Sequence, residues 1–396
     1  MKIRLGADKR IEIFVIVELI LAFLINFCTV ILNNKVLVSI FFNLSFVIFF
    51  MLFLDFIINL KKISVWIVLL VTLLILNVIL DYILDNFVFF EMSKIKYLIF
   101  FIVTNTFYYM LSKIKITKRL YKVAINIPFF IILSDIVAYY IMKNRETIAH
   151  GITLNFSNPN QTGIWLSVAF MFGVLKCAAE TSKLKKIIFL GLDLMLLPII
   201  IKTLSRNSLI SIVALLILII YGKIFRKKFF SKYLLSLIII CPWIFLVTYL
   251  VLINSPFIEN FSFLVSEGKS LTSRLEVWSF GVEIFFENPI IGNYIKIISY
   301  QFQQLHNTGI DICAKYGITV YFIFVILNYK IVNTINKKRM NKINFLALCC
   351  FLTIFIQGIF EAGIYSGYCG LDYLIGGFII IGRGIKNNSI LLRGKI

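Results

Sequence analysis

The chain has 396 residues, of which 60% are hydrophobic and only 15% charged, yet its formal net charge is +21. A mean hydropathy of +0.96 excludes an ordinary soluble domain, because that many apolar side chains could not be covered by the polar ones available. The basic excess does not require a nucleic-acid partner, since it clusters between apolar runs as membrane topology demands.

Apolar runs of bilayer-crossing length begin directly after the basic start, Met1 to Arg10. The first is too long for the apolar region of a cleaved signal peptide. In chain order the candidate spans are Ile11–Leu32, Val36–Leu60, Ile63–Leu84, Tyr97–Leu111, Tyr121–Met142 and Thr162–Ala178. They continue with Ile187–Ile201, Ser208–Tyr221, Tyr233–Asn254, Thr308–Asn328, Asn344–Phe360 and Leu371–Ile381. The expected fold is therefore an all-α polytopic membrane protein of about twelve transmembrane helices, forming one integral domain over residues 1–396. With the N-terminus placed in the cytoplasm, roughly 28 of the 40 basic residues fall on the inner side, and the C-terminus is cytoplasmic as well. Three connections then lie outside: Lys143–Gly163, Lys202–Asn207 and Ser255–Leu305. The seven cysteines form no C-x-x-C pair and read as small packing residues.

The first outer connection ends in Asn155-Phe156-Ser157-Asn158-Pro159-Asn160-Gln161-Thr162-Gly163, a polar, turn-rich entry into a span. Its amides, Asn160 among them, either cap the following helix or bind sugar hydroxyls. The second carries Thr203-Leu204-Ser205-Arg206-Asn207-Ser208. An arginine at membrane depth is costly and calls for a partner; guanidinium geometry suits a phosphate, with topology or an ion pair as the other reading.

The third connection, residues 255–305, is about fifty residues long, which inside a compact array marks function more often than filler. Ser273-Arg274-Leu275-Glu276 fits a capping box, with Ser273 as N-cap. Leu275, Trp278, Val282 and Phe285 follow at helical spacing, so an amphipathic helix along the outer face is expected, closed by Pro289. Arg274 in its first turn opposes the helix dipole, but beside free backbone N–H groups it could complete a phosphate site; snorkelling to headgroups is the alternative. Just beyond lies Leu305-His306-Asn307. Asn307 is a candidate N-cap for the next span, Asp311 and Lys315 can pair, and His306 can take a proton from a hydroxyl. Asp55, Asp135 and Asp193 sit within spans, where an ionisable group is a functional candidate by default; His150 has no recognisable neighbours. No acidic cluster of the kind that holds a catalytic cation occurs in the outer connections, so neither metal nor cofactor is expected.

Asn158-Pro159-Asn160, Ser205-Arg206, Ser273-Arg274-Leu275-Glu276-Val277-Trp278, Asn288-Pro289-Ile290-Ile291-Gly292 and His306-Asn307 follow one another at fixed places relative to the spans. In this the chain resembles the O-antigen ligase and Wzy-type polysaccharide polymerase superfamily, membrane glycosyltransferases of the GT-C type. The resemblance covers residues from about Asn155 to Tyr321. It implies metal-independent glycosyl transfer on the outer face of the bacterial cytoplasmic membrane, from an undecaprenyl-diphosphate-linked oligosaccharide. It assigns His306 as the base that activates the acceptor hydroxyl, and Arg206 and Arg274 as the diphosphate ligands. Asn160 and Asn307 would contact or position the glycan. Partners implied are membrane lipids, a chain-length regulator and a flippase. Asn307 stands where ligases often have proline, which favours repeat-unit polymerisation into capsular or O-antigen-like polysaccharide. Residues Asn293 and Tyr294 replace a second glycine after Gly292. Two alternatives stay open: ligation of a finished glycan to another acceptor, and a flippase for lipid-linked oligosaccharide.

Overall fold

Long apolar runs with few breakers close their backbone hydrogen bonds within a helix, the arrangement that lets a chain sit in hydrocarbon. The computed structural model follows that rule. It describes residues 2–59, 64–84, 92–148, 150–224, 230–253, 271–299, 305–336, 341–361 and 370–385. Fourteen α-helices occur among them: α1 (Lys2–Val30), α2 (Lys35–Asn59), α3 (Val65–Leu84), α4 (Met92–Leu111), α5 (Lys118–Ile136), α6 (Pro159–Ala179) and α7 (Lys183–Lys202). These are followed by α8 (Arg206–Ile224), α9 (Lys232–Ile253), α10 (Leu271–Glu287), α11 (Tyr294–Ser299), α12 (Thr308–Asn336), α13 (Lys342–Gln357) and α14 (Leu371–Arg383). A π-helical turn, Val137–Ile141, extends α5, and a two-residue antiparallel ladder, β1 (Thr147–Ile148) with β2 (Gly151–Ile152), follows it.

The chain is thus all-α and carries helices fit for a membrane. Among the described residues six are long and apolar enough to cross one: Lys9–Val30, Lys35–Leu54, Lys118–Ile141, Pro159–Ala179, Arg206–Ile224 and Thr308–Asn336. Four shorter apolar helices, Val65–Asp81, Leu98–Leu111, Lys232–Thr248 and Lys342–Gln357, join them. The expected α7 span is helical but carries Lys183, Lys185, Lys186, Asp193 and Lys202 in twenty residues, and the α14 helix has only thirteen residues. The outward faces are apolar: on α8, Val213 is 54% and Ile217 60% exposed. Such a surface is costly in water and costs nothing against lipid tails.

Tight packing at the centre comes from α12, α13 and α14 with α4, α5 and α6, where Trp165, Phe172, Phe324, Phe351 and Phe378 are fully buried. Phe172 stacks on Phe378 at 4.4 Å between ring centroids. α12 is not one straight rod. Gly317 sits at φ 81°, and a Cβ there would lie 2.0 Å from the Ile290 carbonyl oxygen. Only glycine permits that approach. The Pro289–Gly292 segment docks on this break: Ile318 N–H donates to Pro289 O at 2.8 Å, and Asn293 N–H donates to Ala314 O at 2.7 Å. Gly292, at φ 76°, lies against Gly317 N and the Lys315 carbonyl. The turn therefore forms without a second glycine, with Asn293 buried and its amide donating to the Ile284 carbonyl and to Glu287. Asp81 of α3 accepts from Ile295 N–H at 2.7 Å and fixes the start of α11.

Candidate functional site

The loop after α13 collects the site. A helix ends with carbonyls that have no intrahelical donor, and these carry the negative end of the helix dipole. Here four successive carbonyls beyond α13 are satisfied from elsewhere in the chain. Thr308 N–H donates to Gly358 O at 2.8 Å, and Asn307 Nδ2 donates to Ile359 O at 3.0 Å. Arg274 Nη1 donates to Phe360 O at 2.6 Å, and Thr308 Oγ1 donates to Glu361 O at 3.3 Å. The turn that precedes α12 and the first turn of α10 are thereby fastened to one strip of backbone.

The side chain at the end of that strip is Glu361, which is 1% exposed. Its Oε1 takes Arg274 Nη2 at 2.8 Å and its Oε2 faces His306 Nδ1 at 2.9 Å. A buried carboxylate needs a cation and hydrogen bonds on both oxygens, and it has them. With Nδ1–H donated to the carboxylate, the imidazole lone pair is on Nε2. The carboxylate fixes the tautomer and the ring plane. The side chain of His306 is 38% exposed, so the pair is open on one side. The backbone at His306 adopts φ 50°, the left-handed region that non-glycine residues rarely enter. Neighbouring bonds hold it there: Asn307 Oδ1 accepts from Gly309 N–H and Ile310 N–H at 2.9 and 3.1 Å, and Asp311 Oδ1 accepts from Leu305 N–H at 3.0 Å. Asp311 also pairs with Lys315 at 2.8 Å, as the spacing suggested.

The expected residues fare differently. His306 and Arg274 come together, joined by Glu361. Asn307 caps α12 and is fully buried. Arg206 starts α8 and is exposed, with no hydrogen bond or ion pair among the described residues. Its turn faces the same end of the bundle. A Cβ on Gly163 of α6 would touch Ser205 and Ser208, and one turn further along α6 Ser167 accepts from Gln357, which immediately precedes Gly358. Asn207, beside Arg206, is 2% exposed, and neither its amide oxygen nor its nitrogen has a partner among the described residues. Asn160 is half-buried in the first turn of α6, where Asn158 provides the cap by accepting from Gln161 N–H at 2.8 Å. Asp135 accepts from Asn26 at 3.2 Å, while Asp193 abuts Gly173; both are buried. The side chain of Asp55 lies outside the described residues.

One expectation is corrected. Ser273 is not the N-cap of its helix, because α10 already begins at Leu271. Arg274 is therefore its fourth residue. Trp278, one turn on, is fully buried near Phe245 and Phe360. The amphipathic expectation fits for Trp278 and Phe285, which are buried, and for half-buried Val282; Val277 and Ile284 join that face, Glu276 and Glu283 are exposed, and the buried face packs along α12, while the side chain of Leu275 lies outside the described residues.

Glu361 was missed by sequence reasoning. The available signal was a lone carboxylate one residue beyond an apolar span, in a chain with few acidic residues. Among the described residues no three His, Cys, Asp or Glu side chains gather closely enough to hold a metal ion. The chain matches no known family profile, no curated protein and no solved structure.

Proposed function

We propose that the protein is a membrane glycosyltransferase that polymerises undecaprenyl-diphosphate-linked oligosaccharide repeat units into a capsular or O-antigen-like polysaccharide. The reaction takes place at the outer face of a bacterial cytoplasmic membrane, with both termini inside and no metal required. The observation that carries this reading is the carboxylate shared by an imidazole and a guanidinium at one end of a membrane bundle. A hydroxyl of one lipid-linked unit attacks the anomeric carbon of the growing glycan. Its proton passes to His306 Nε2, the new C–O bond forms, and the bond to the diphosphate oxygen breaks with both electrons leaving on the diphosphate. Glu361 holds the imidazole in the tautomer that can accept and stabilises the imidazolium that results.

Arg206, which has no hydrogen bond or ion pair among the described residues, receives the departing diphosphate, and the amide of Asn207, also without a partner among them, lies at its side. Arg274 has two N–H groups committed to Phe360 O and Glu361, so its contribution to the anion comes through its remaining N–H edge. Electrostatic stabilisation of this kind is typically worth about 3 kcal/mol per donor. The test is reconstitution of the purified protein with a synthetic lipid-linked repeat unit. A ladder of oligomers on a gel, insensitive to chelator, is expected. Transfer only to an added second acceptor would make it a ligase. Movement of the unit across the bilayer without new glycosidic bonds would make it a flippase and end the enzymatic reading.

A further inference from the structure

At the same end of the bundle, α1, α2 and the approach to α6 enclose an open cleft of about 860 Å³ that the proposed chemistry does not use. Its α2 wall is a helical stripe. Lys35, Ser39 and Asn43 recur every fourth residue, with Phe42 between them, in a helix otherwise almost wholly apolar. Polar groups spaced to one face of a membrane helix point to a cavity and to what passes through it. All three are exposed and make no hydrogen bond among the described residues.

Asn155, Ser157 and Gln161 form the opposite wall. Asn155 Nδ2 donates to Thr29 O at 3.1 Å, and Ser157 Oγ donates to Gln161 Oε1 at 2.5 Å, so each still presents unused donors or acceptors. Beneath the cleft Trp165 stacks on Phe156 at 5.7 Å with both rings buried, while the half-buried Phe42 ring lies in the cleft wall. Backbone strain gathers here as well: Asn33, Leu154 and Asn155 have φ of 46°, 45° and 66°. Left-handed backbone at a bulky residue such as Leu154 persists only where its surroundings enforce it, and such positions concentrate at ligand sites.

The charge balance selects the ligand. Among the described residues that line the cleft, Lys35 and Glu146 are the only ionisable side chains, and they cancel. A diphosphate or an anionic headgroup would find no net attraction. Amides, hydroxyls and the partly exposed Phe42 ring match uncharged sugar rings, and the volume lies near the top of the range for small-molecule clefts, so several rings fit. We infer that this cleft binds neutral sugar units of an oligosaccharide. The inference rests on the reading that the protein handles lipid-linked glycan. Trp165 and Gln161 face the cleft from α6, while Gly163 and Ser167 of the same helix face α8 and Gln357. A glycan lying here would keep its uncharged units on one flank of α6 and present its diphosphate end on the other.

The test places photoreactive p-benzoylphenylalanine at Ser39 or Asn43, with Val213 on the exposed apolar face of α8 as control, in membranes of cells that make the protein's own glycan. After irradiation the peptide carrying position 39 or 43 should bear sugar fragments in its mass spectrum, at least about tenfold above the control. Size-exclusion elution matching the unsubstituted protein shows that each variant is folded. Adducts of phospholipid mass alone, or no carbohydrate at both positions, would overturn the inference. The proposed activity fails separately, if unsubstituted protein yields no ladder from a lipid-linked unit. The cross-link does not depend on turnover and reads the cleft in either case.

Discussion

Two regions share one end of this bundle, and they are built on opposite principles. Around Glu361 every charge is answered: the carboxylate has two donors, Arg274 has two acceptors, and four carbonyls past α13 are satisfied by side chains or N–H groups from elsewhere. In the cleft beside α2, the side chains of Ser39 and Asn43 make no hydrogen bond among the described residues, and the two charges among its described lining residues balance. The first arrangement orients a reactive group and resists rearrangement. The second leaves hydrogen-bonding capacity for something that is not protein. A chemical step needs the former, and retention of uncharged sugar units needs the latter.

The comparison breaks most sharply at His306. His306→Ala should lower the rate of glycosidic bond formation by about 10³-fold, the middle of the range for one base, while the protein still inserts and elutes normally. A wild-type ladder from that variant would reduce the Glu361 cluster to a structural clamp. Glu361→Gln keeps the shape and removes the charge. Because the imidazole remains, the loss should be smaller, about 10²-fold, and should fall on kcat with KM unchanged. An equal rise in KM would mean that the carboxylate shapes the binding site instead.

Much of this architecture follows from local rules and was legible in advance. The cap by Asn307, the Asp311–Lys315 pair and the apolar face of α10 depend on residues within a turn or two of one another. The link from Glu361 to His306 spans 55 residues, and that to Arg274 spans 87. No periodicity carries such information, so a lone acid at a span's end passed unnoticed. The stripe of Lys35, Ser39 and Asn43 on α2 was not read from the sequence, and only the fold shows that it faces the loop before α6. Ser273 fails as a cap because the helix already runs from Leu271.

A third variant asks how far the rigidity of the charged region depends on its frame. Asn307→Ala removes a cap on α12 together with donors to Pro242 O and Ile359 O, all in a fully buried position. A loss of roughly 2 kcal/mol in stability is expected, from the cap and the stranded carbonyls combined. Thermal unfolding in detergent reads it. A stable variant with lost activity would give Asn307 a direct role that its burial argues against.

The smallest effect lies in the neutral cleft and sharpens the contrast best through salt. Asn43→Ala should weaken retention of the glycan by about fivefold, the equivalent of one neutral hydrogen bond of roughly 1 kcal/mol. No ion pair is involved, so the deficit should be the same at low and high ionic strength. Arg206→Ala removes an exposed cation from the diphosphate, and its deficit should shrink as salt screens the interaction in the unsubstituted protein. The readout is apparent KM for a lipid-linked repeat at two salt concentrations. If the Asn43→Ala deficit follows salt as the Arg206→Ala deficit does, the cleft is part of the anion site, and the division of the glycan between a charged and an uncharged flank of α6 falls.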